Sequence, residues 1–336
     1  MKKAPFYAIN TPMTHEILLY YKYTPVNRPH LFVDWHKELC KNLNLKGRIL
    51  IAAEGINGTV EGSSENNAEY IKALISQDGK GGTDKYGNTL NSDGTYSYGN
   101  FSDVVFKKSV GDGKAFPKMK VKLREEIVAS KLGEEVNPAE YTATHLPAEE
   151  LHKWFREGKK FKIIDMRNDY EFIVGHFKDS INPEMENFRD LPKVLPKIED
   201  MKDEPVVTVC TGGVRCEKAS AYIKKKGFKE VYQLDGGMAT YMEKFPGKDF
   251  VGSLYVFDNR VVMNYDDKVK EGKEGQLHEV IGKCMKCGTA SERYINCAND
   301  FCHLHFICCE NCVNDDGKSY CGRNCVERNL VRVKGE

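Results

Sequence analysis

The chain has 336 residues, and its 50 Lys+Arg against 49 Asp+Glu leave a formal net charge of +1. That balance excludes a bulk field drawing the molecule onto nucleic acid or membrane, so any polyanion must be met by a local patch. The opening MKKAPFYAIN lacks an apolar leader core and no apolar run approaches the roughly 18 residues of a membrane span, so the expectation is a soluble, cytoplasmic chain of two or three domains with no membrane partner.

Residues 16–23 (EILLYYKY) have the composition of a strand. Residues 30–44 have helical spacing, with Leu31, Trp35, Leu39 and Leu43 on one stripe. GRILIAAEG (47–55) and INGTVEGS (56–63) follow as strands broken by Gly and Asn turns, and a helix is predicted near 65–76. This β-α-β-β-α order suits a ferredoxin-like α+β domain over residues 1–125. Residues 78–100, rich in Gly, Asn, Asp, Ser and Tyr, are expected to be an exposed insertion loop.

Residues 105–124 carry seven basic residues and one acid, a local charge of +6. In FPKMKVKLR, strand alternation puts Lys118, Lys120, Lys122 and Arg124 on one face and Met119, Val121 and Leu123 on the other. Lysines on an edge strand guard against aggregation. With Lys107 and Lys108 nearby, the six cations are also candidates for contacting RNA phosphates. Residues 126–144 have the composition of a linker.

From 145 to 250 the pattern alternates: LPAEELHKWFREG as helix, FKIIDMR as strand, PVVTVC as buried strand, VRCEKASAYIKKKG as helix, EVYQLDGG as strand and MATYMEKF as helix. Such an order builds a small parallel α/β sheet. Residues 251–283 connect it to a cysteine-rich stretch.

The strand ending at Cys210 runs into Thr211, Gly212, Gly213 and Arg215, where a helix begins. In an open α/β sheet, ligands bind beyond the carboxyl ends of the strands. The glycines let backbone N–H groups curl around the sulfur, the helix terminus adds positive potential, and Arg215 adds a permanent charge. All three favour thiolate, so Cys210 is the predicted nucleophile. Cys216, inside the helix, is expected to be a packed small residue, with a resolving thiol as the alternative.

IIDMRNDYEFIVGHFKDSINP followed by CTGGVRCEKAS resembles the rhodanese domain, in which the first loop cysteine carries a persulfide. The Cys-to-Arg loop is one residue shorter than in phosphatases of that general fold, which implies a sulfur-sized cradle. By the same resemblance Asp165 and Arg167 match an Asp-x-Arg after the second strand. Asp165 and His176 are expected to be structural, and Arg167 to lie near the pocket.

Of the twelve cysteines, nine fall between Cys284 and Cys325. In a reducing compartment such a cluster indicates metal binding over disulfides. Eight form short-spaced pairs: Cys284/Cys287, Cys297/Cys302, Cys309/Cys312 and Cys321/Cys325. Four pairs predict two structural zinc sites of four thiolates each, within a region spanning 251–336. The preferred pairing is interleaved, first with third and second with fourth; sequential pairing is the alternative. Cys308 is left over, and His303 and His305 are alternative ligands.

Taken in order, GRILIAAEGINGTVEGS, FKKS, KAFPKMKVKLREEIV, CTGGVRCEKASAYI and YQLDGG make the chain similar to the tRNA uridine(34) hydroxylases over residues 16–330, apart from the insertion at 78–100. That resemblance implies a tRNA-modifying oxidoreductase making 5-hydroxyuridine at the wobble position, with tRNA as partner and molecular oxygen as co-substrate. No DNA partner is expected, and the sequence shows no flavin or dinucleotide G-x-G-x-x-G motif. A rhodanese sulfurtransferase and a non-catalytic scaffold are the competing readings.

Overall fold

The computed structural model describes residues 15–133, 136–314 and 317–326, so the leader reading of MKKAPFYAIN and residues 327–336 lie outside the described residues. The chain divides into two compact units, one ending at Ile127 and one beginning at Val128.

In the first unit, alternating apolar residues give β1 (His15–Tyr23) and β2 (Lys46–Ala52) one buried face each. Both pair antiparallel with β3 (Gly55–Ser63). β4 (Lys107–Gly111) adds to β1 and β5 (Met119–Leu123) lies parallel to β2, giving the order β4-β1-β3-β2-β5. Helices α1 (Pro29–Asn42) and α2 (Ser64–Ile75) contribute Phe32, Val33, Tyr70 and Leu74 to one core with Leu18, Tyr20, Ile49, Ile51 and Val60 of the sheet. Each such side chain contributes about 1.5–3 kcal/mol of burial. The ferredoxin-like α+β architecture is therefore present.

The predicted stripe of α1 is displaced by one position. Phe32, Val33, His36 and Cys40 are buried, whereas Leu31 is exposed and Trp35, Leu39 and Leu43 flank the core. A line through His36 is one that hydrophobic periodicity discounts. Burial holds that ring's pKa down to about 3 while Nδ1 bonds the Phe32 carbonyl at 3.0 Å, so it packs as a neutral group. The insertion at 78–100 is more than a solvated loop. Its tip is exposed, but bridges Thr83–Thr89 and Leu90–Tyr96 fold it on itself, and Asn91 is buried with its amide on Gln77, Thr95 and Tyr96.

The second unit holds a parallel sheet, β6 (Thr144–Leu146), β10 (Glu230–Leu234), β9 (Pro205–Val209) and β7 (Lys162–Asp165), in the order β6-β10-β9-β7. Each face has its own core. Helices α3 (Ala148–Glu157) and α7 (Gly237–Lys244) pack Leu151, Trp154, Met238 and Tyr241 against Ile163, Val207, Val209 and Leu234. On the other face, α5 (Leu191–Val194) and α6 (Val214–Lys225) pack Leu191, Val194, Ala219 and Ile223 against Ile164, Val206 and Val231. Both faces being covered explains why PVVTVC has no alternation.

The stretch at 126–144 is not a free linker. Val128, Leu132 and Ala143 pack onto the second of these cores, and Thr144 already belongs to β6. Its isolated apolar residues lack a period, so composition hides their burial. Between β7 and β9, α4 (Asp169–Phe172) leads into β8 (Gly175–Phe177), which pairs antiparallel with β11 (Phe250–Gly252). The short strands β12 (Leu254–Tyr255) and β13 (Val262–Met263) pair antiparallel, and the hairpin β14 (Tyr294–Asn296) and β15 (His305–Ile307) belongs to the same unit. Its Tyr294 and Ile307 form a small core with Val174 and Tyr255.

Candidate active site and metal centres

Strand β9 ends in a loop at its carboxyl end, as an α/β sheet requires of a ligand site. Cys210, Thr211, Gly212 and Gly213 are all buried, and Gly213 leads into α6 with φ 104°, a backbone state that glycine tolerates. The Gly213 N–H donates to Cys210 Sγ at 3.1 Å. Burial alone would push the Cys210 thiol up. The Cys216 side chain, the Arg215 charge and the backbone N–H groups of Cys216 and Gly213 outweigh it and hold the pKa at about 5. Cys210 is thus a thiolate at neutral pH.

Arg215 does not stand over the loop as an unpaired charge. Its Nη1 and Nη2 donate to Glu171 at 2.5 and 2.8 Å, and Nη2 also reaches Thr211 Oγ at 3.3 Å. The exposed ring of Phe257 lies 5.7 Å from the guanidinium carbon. Burial opposes the Glu171 charge, but Arg215 pulls its pKa below the carboxylate range, so the pair is ionised. Glu171 escaped sequence reasoning, which fixed on the Asp-x-Arg before it. The Asn168-x-x-Glu171 capping box, observed at the start of α4, is the signal that marks this turn.

Asp165 ends β7 opposite Val209, the residue before Cys210, and Arg167 follows two residues on. The Arg167 guanidinium donates to both Asp165 oxygens at 2.7–3.1 Å and to the Gly175 carbonyl at 2.6 Å, and both side chains are fully buried. Arg167 therefore ties β7 to β8, and its charge also helps hold Glu171, the partner of Arg215, ionised. His176 stacks on Phe172 at 4.0 Å and bonds the Phe172 carbonyl, a structural arrangement.

The second glycine of YQLDGG has a role no pattern announced. A Cβ on Gly237, which has φ 68°, would lie 2.6 Å from the Cys210 carbonyl oxygen and 2.8 Å from the Gly213 nitrogen. The N–H groups of Met238 and Ala239 donate to the carbonyls of Cys210 and Thr211 at 2.9 and 3.0 Å. The start of α7 thus braces the nucleophile loop from outside.

The six predicted RNA-binding cations do not form one cluster. Lys118, Lys120, Lys122 and Arg124 are exposed along the β5 edge, while Met119 and Val121 turn into the core. Leu123, expected inward, is exposed where the strand ends. Lys107 and Lys108 lie on β4, the opposite edge of the sheet. Lys108 pairs with Leu18, a core residue, and binds Glu16 at 3.2 Å. Alternation therefore turns it to the other face from Lys107 and removes it from any shared patch.

The cysteine tail brings together Cys284, Cys287, Cys309 and Cys312 in one group and Cys297, Cys302, Cys321 and Cys325 in the other, with the sulfurs of each group all within 4.8 Å. This is the interleaved arrangement. Cys287–Cys309 and Cys302–Cys321 are 3.6 Å apart and Cys321–Cys325 3.5 Å. Those distances are too long for disulfides and near the ~3.8 Å edge of a tetrahedron with ~2.3 Å metal–sulfur bonds. Each group fits one metal ion. Cys308 stays outside, donating to the Cys312 carbonyl, and His305 stacks on Tyr294 at 4.8 Å. Neither His303 nor His305 joins a group among the described residues.

Comparison with known proteins matches residues 15–127 to a UPF0176 acylphosphatase-like domain, 147–244 to a rhodanese-like domain and 251–326 to a rhodanese C-terminal family. A protein from Listeria welshimeri named tRNA uridine(34) hydroxylase is 41% identical over 297 residues, spanning 87% of this chain and 83% of its own length. One of the same name from Staphylococcus saprophyticus is 42% identical over 303 residues, covering 89% and 86%. Another from Bacillus licheniformis is 38% identical over 299 residues, covering 88% and 84%. Among solved structures, a rhodanese-like domain protein from Staphylococcus aureus aligns with 29% of this chain and 90% of its own at 26% identity and a TM-score of 0.26.

Proposed function

The chain belongs to the tRNA uridine(34) hydroxylase family, and from that membership we propose that it is an oxidoreductase converting the wobble uridine of tRNA to 5-hydroxyuridine, with Cys210 as its reactive group. The observation that carries the chemistry is the Cys210 thiolate, held at about 5 by the Gly213 and Cys216 donors and by Arg215. A thiolate adding to C6 of uracil makes C5 enolate-like. A thiol-class reductant gives two electrons and two protons to O2, leaving as a disulfide and making a peroxide. C5 attacks one peroxide oxygen, the O–O bond breaks, and the other oxygen leaves as hydroxide that takes up a proton to become water. Loss of the C5 proton and expulsion of the thiolate restore the ring. Glu171 keeps the Arg215 charge fixed beside the sulfur throughout. The family's cytoplasmic substrate fits a chain whose described helices are none of them long and apolar enough to cross a membrane.

The two cysteine groups are read as structural zinc sites, since four thiolates leave no position for a substrate. When bound, the metal supplies cross-links between short segments and no step of the reaction.

One observation favours a second reading. Cys210 exposes none of its surface, so a bulky acceptor meets it less easily than a persulfide sulfur carried outward from it would. This would make the domain a sulfurtransferase. Purified protein incubated with unmodified tRNA, 18O2 and a thiol reductant separates the two. The hydroxylase reading requires 5-hydroxyuridine at position 34 carrying the label, lost in Cys210→Ser. A sulfur-bearing nucleoside or no labelled product would reject it. Under turnover, an intact-mass adduct between Cys210 and a uridine analogue tests the covalent step itself.

A further inference from the structure

The strand registers of the first unit assemble a surface that the sequence did not disclose. Directly opposed residues of adjacent strands project from the same face of a sheet. One transverse row therefore reads Lys107 (β4), Leu19 (β1), Thr59 (β3), Arg48 (β2) and Lys120 (β5). The neighbouring row reads Tyr21, Asn57, Leu50 and Lys122. Every one of these side chains is exposed or half-exposed. The intervening rows hold Leu18, Val60, Met119, Tyr20, Ile49 and Val121, which enter the core under α1 and α2. Both helices lie on that other face, so the Arg48 face has no helix of this unit over it.

The chemistry of the face is basic and aromatic. Arg48 sits between the two cationic edges, joining the Lys120/Lys122 side to Lys107 roughly 19 Å away across four strand spacings. Lys107 Nζ lies 5.4 Å from the centre of the Tyr21 ring, and Tyr23 meets Tyr21 edge-on at 6.3 Å. The Glu61 end of the face is closed: Ile17, opposite Glu61, packs under Ala115 and Phe116, and Glu61 is buried and accepts the Gly113 N–H at 2.8 Å, which leaves the exposed part of the face to the rows above.

We propose that this open sheet face is the platform for single-stranded RNA, and that the anticodon loop of the tRNA substrate lies across it with its phosphates on Arg48, Lys107, Lys120 and Lys122 and a base on Tyr21. The proposal rests on the tRNA reading above and adds to it the surface and the residues. A flat sheet cannot enter a duplex groove, whereas splayed bases of a loop stack on aromatic side chains of just such a face. Phosphates tracking from one edge to the other need cations in the middle, and Arg48 supplies one. Lys108, on the helix side, takes no part.

The test uses the full chain and a labelled anticodon stem–loop in an anisotropy titration at several salt concentrations. Arg48→Glu lowers affinity at least tenfold and makes log K against log salt shallower by about 0.7 or more per lost phosphate contact. The milder Arg48→Gln gives a smaller loss in the same direction, and Tyr21→Ala weakens binding with the salt slope kept. Lys37→Glu, on α1, leaves both unchanged. A loop carrying 4-thiouridine crosslinks to peptides from 15–23 or 46–52. Wild-type affinity and slope in Arg48→Glu and Tyr21→Ala, with wild-type protein still hydroxylating position 34, would overturn the face assignment alone. Absence of any 5-hydroxyuridine from the wild-type reaction would instead sink the tRNA reading, and the proposal with it.

Discussion

The hydrogen bonds to the Cys210 sulfur decide its reactivity, and they make separable predictions. With the native pKa at about 5 against an ordinary value near 9, alkylation by a small haloacetamide should rise with pH through a midpoint about 5 and then level off. The same shift makes the thiolate a stabilising group. Its contribution is complete above about 9, shrinks as pH falls through that window, and is gone below about 5. Cys216 donates to the thiolate, so Cys216→Ala should raise the alkylation midpoint by about 1–2 units, the worth of one charged hydrogen bond. Cys216→Ser retains a donor and should keep most of the activity, whereas Cys210→Ser should abolish product while leaving tRNA affinity intact. An unmoved midpoint in Cys216→Ala would remove Cys216 from the site. Glu171→Ala leaves the buried Arg215 charge uncompensated and should cost about 3–5 kcal/mol in denaturant unfolding. At this scale the Cys-x-x-x-x-Arg loop was legible because its chemistry is local in sequence. Glu171 and Gly237 were not, because each acts across 24 residues or more of chain on a partner that only folding supplies.

Elements were read well where alternation or helical spacing was strong and poorly where burial followed another rule. β1, β3 and α2 lie within one residue of their expected limits, since one face of each is apolar, and β2 stops three residues early, at Ala52. The α1 stripe was misplaced because His36 occupies a core position that a hydrophobicity pattern skips. The short α4, β8 and β11 carry too few residues to show a period at all. β5 was predicted with its cations on one face, and the structure adds that it is an edge strand parallel to β2, with those cations exposed. Replacing Lys118, Lys120 and Lys122 together by Glu should weaken tRNA binding and flatten its salt dependence by about two units or more of slope. Haloacetamide reaction at Cys210 should keep its rate and midpoint, because its donors all come from the β9–α6 loop and the first turn of α6. If affinity and slope stayed at wild-type values, the lysines would be no more than guards against edge-to-edge association.

For the molecule as a whole, the cysteine spacing announced two metal sites but gave no sign of what the tail does for the domain before it. The expectation from spacing is that metal removal would unfold the tail and spare the parallel sheet. The packing predicts a wider effect. Tyr294 of β14 donates its hydroxyl to the Tyr170 carbonyl and packs with Tyr255 and Ile307 against Val174. Tyr170 immediately precedes Glu171, the residue that holds Arg215 beside the nucleophile. β14 runs directly into the ligand Cys297, and β15 ends two residues before Cys309, so each strand of the hairpin feeds a different metal group. Freshly reduced protein should bind about two equivalents of zinc, one per group of four thiolates. A single equivalent, or none, would reject the double site. Chelation should then leave the far-ultraviolet signal of the β6–β10–β9–β7 sheet largely in place, since its two cores are built from residues no later than Tyr265 and the stretch from Cys284 onward adds none to them. It should nevertheless change the near-ultraviolet signal of the Tyr170–Tyr255–Tyr294 cluster and raise the Cys210 alkylation midpoint above 5, as α4 loses its support and the Glu171–Arg215 pair drifts from the sulfur. If the midpoint holds while both metals are gone, the tail stabilises only itself, and the nucleophile loop depends on nothing beyond its own sheet.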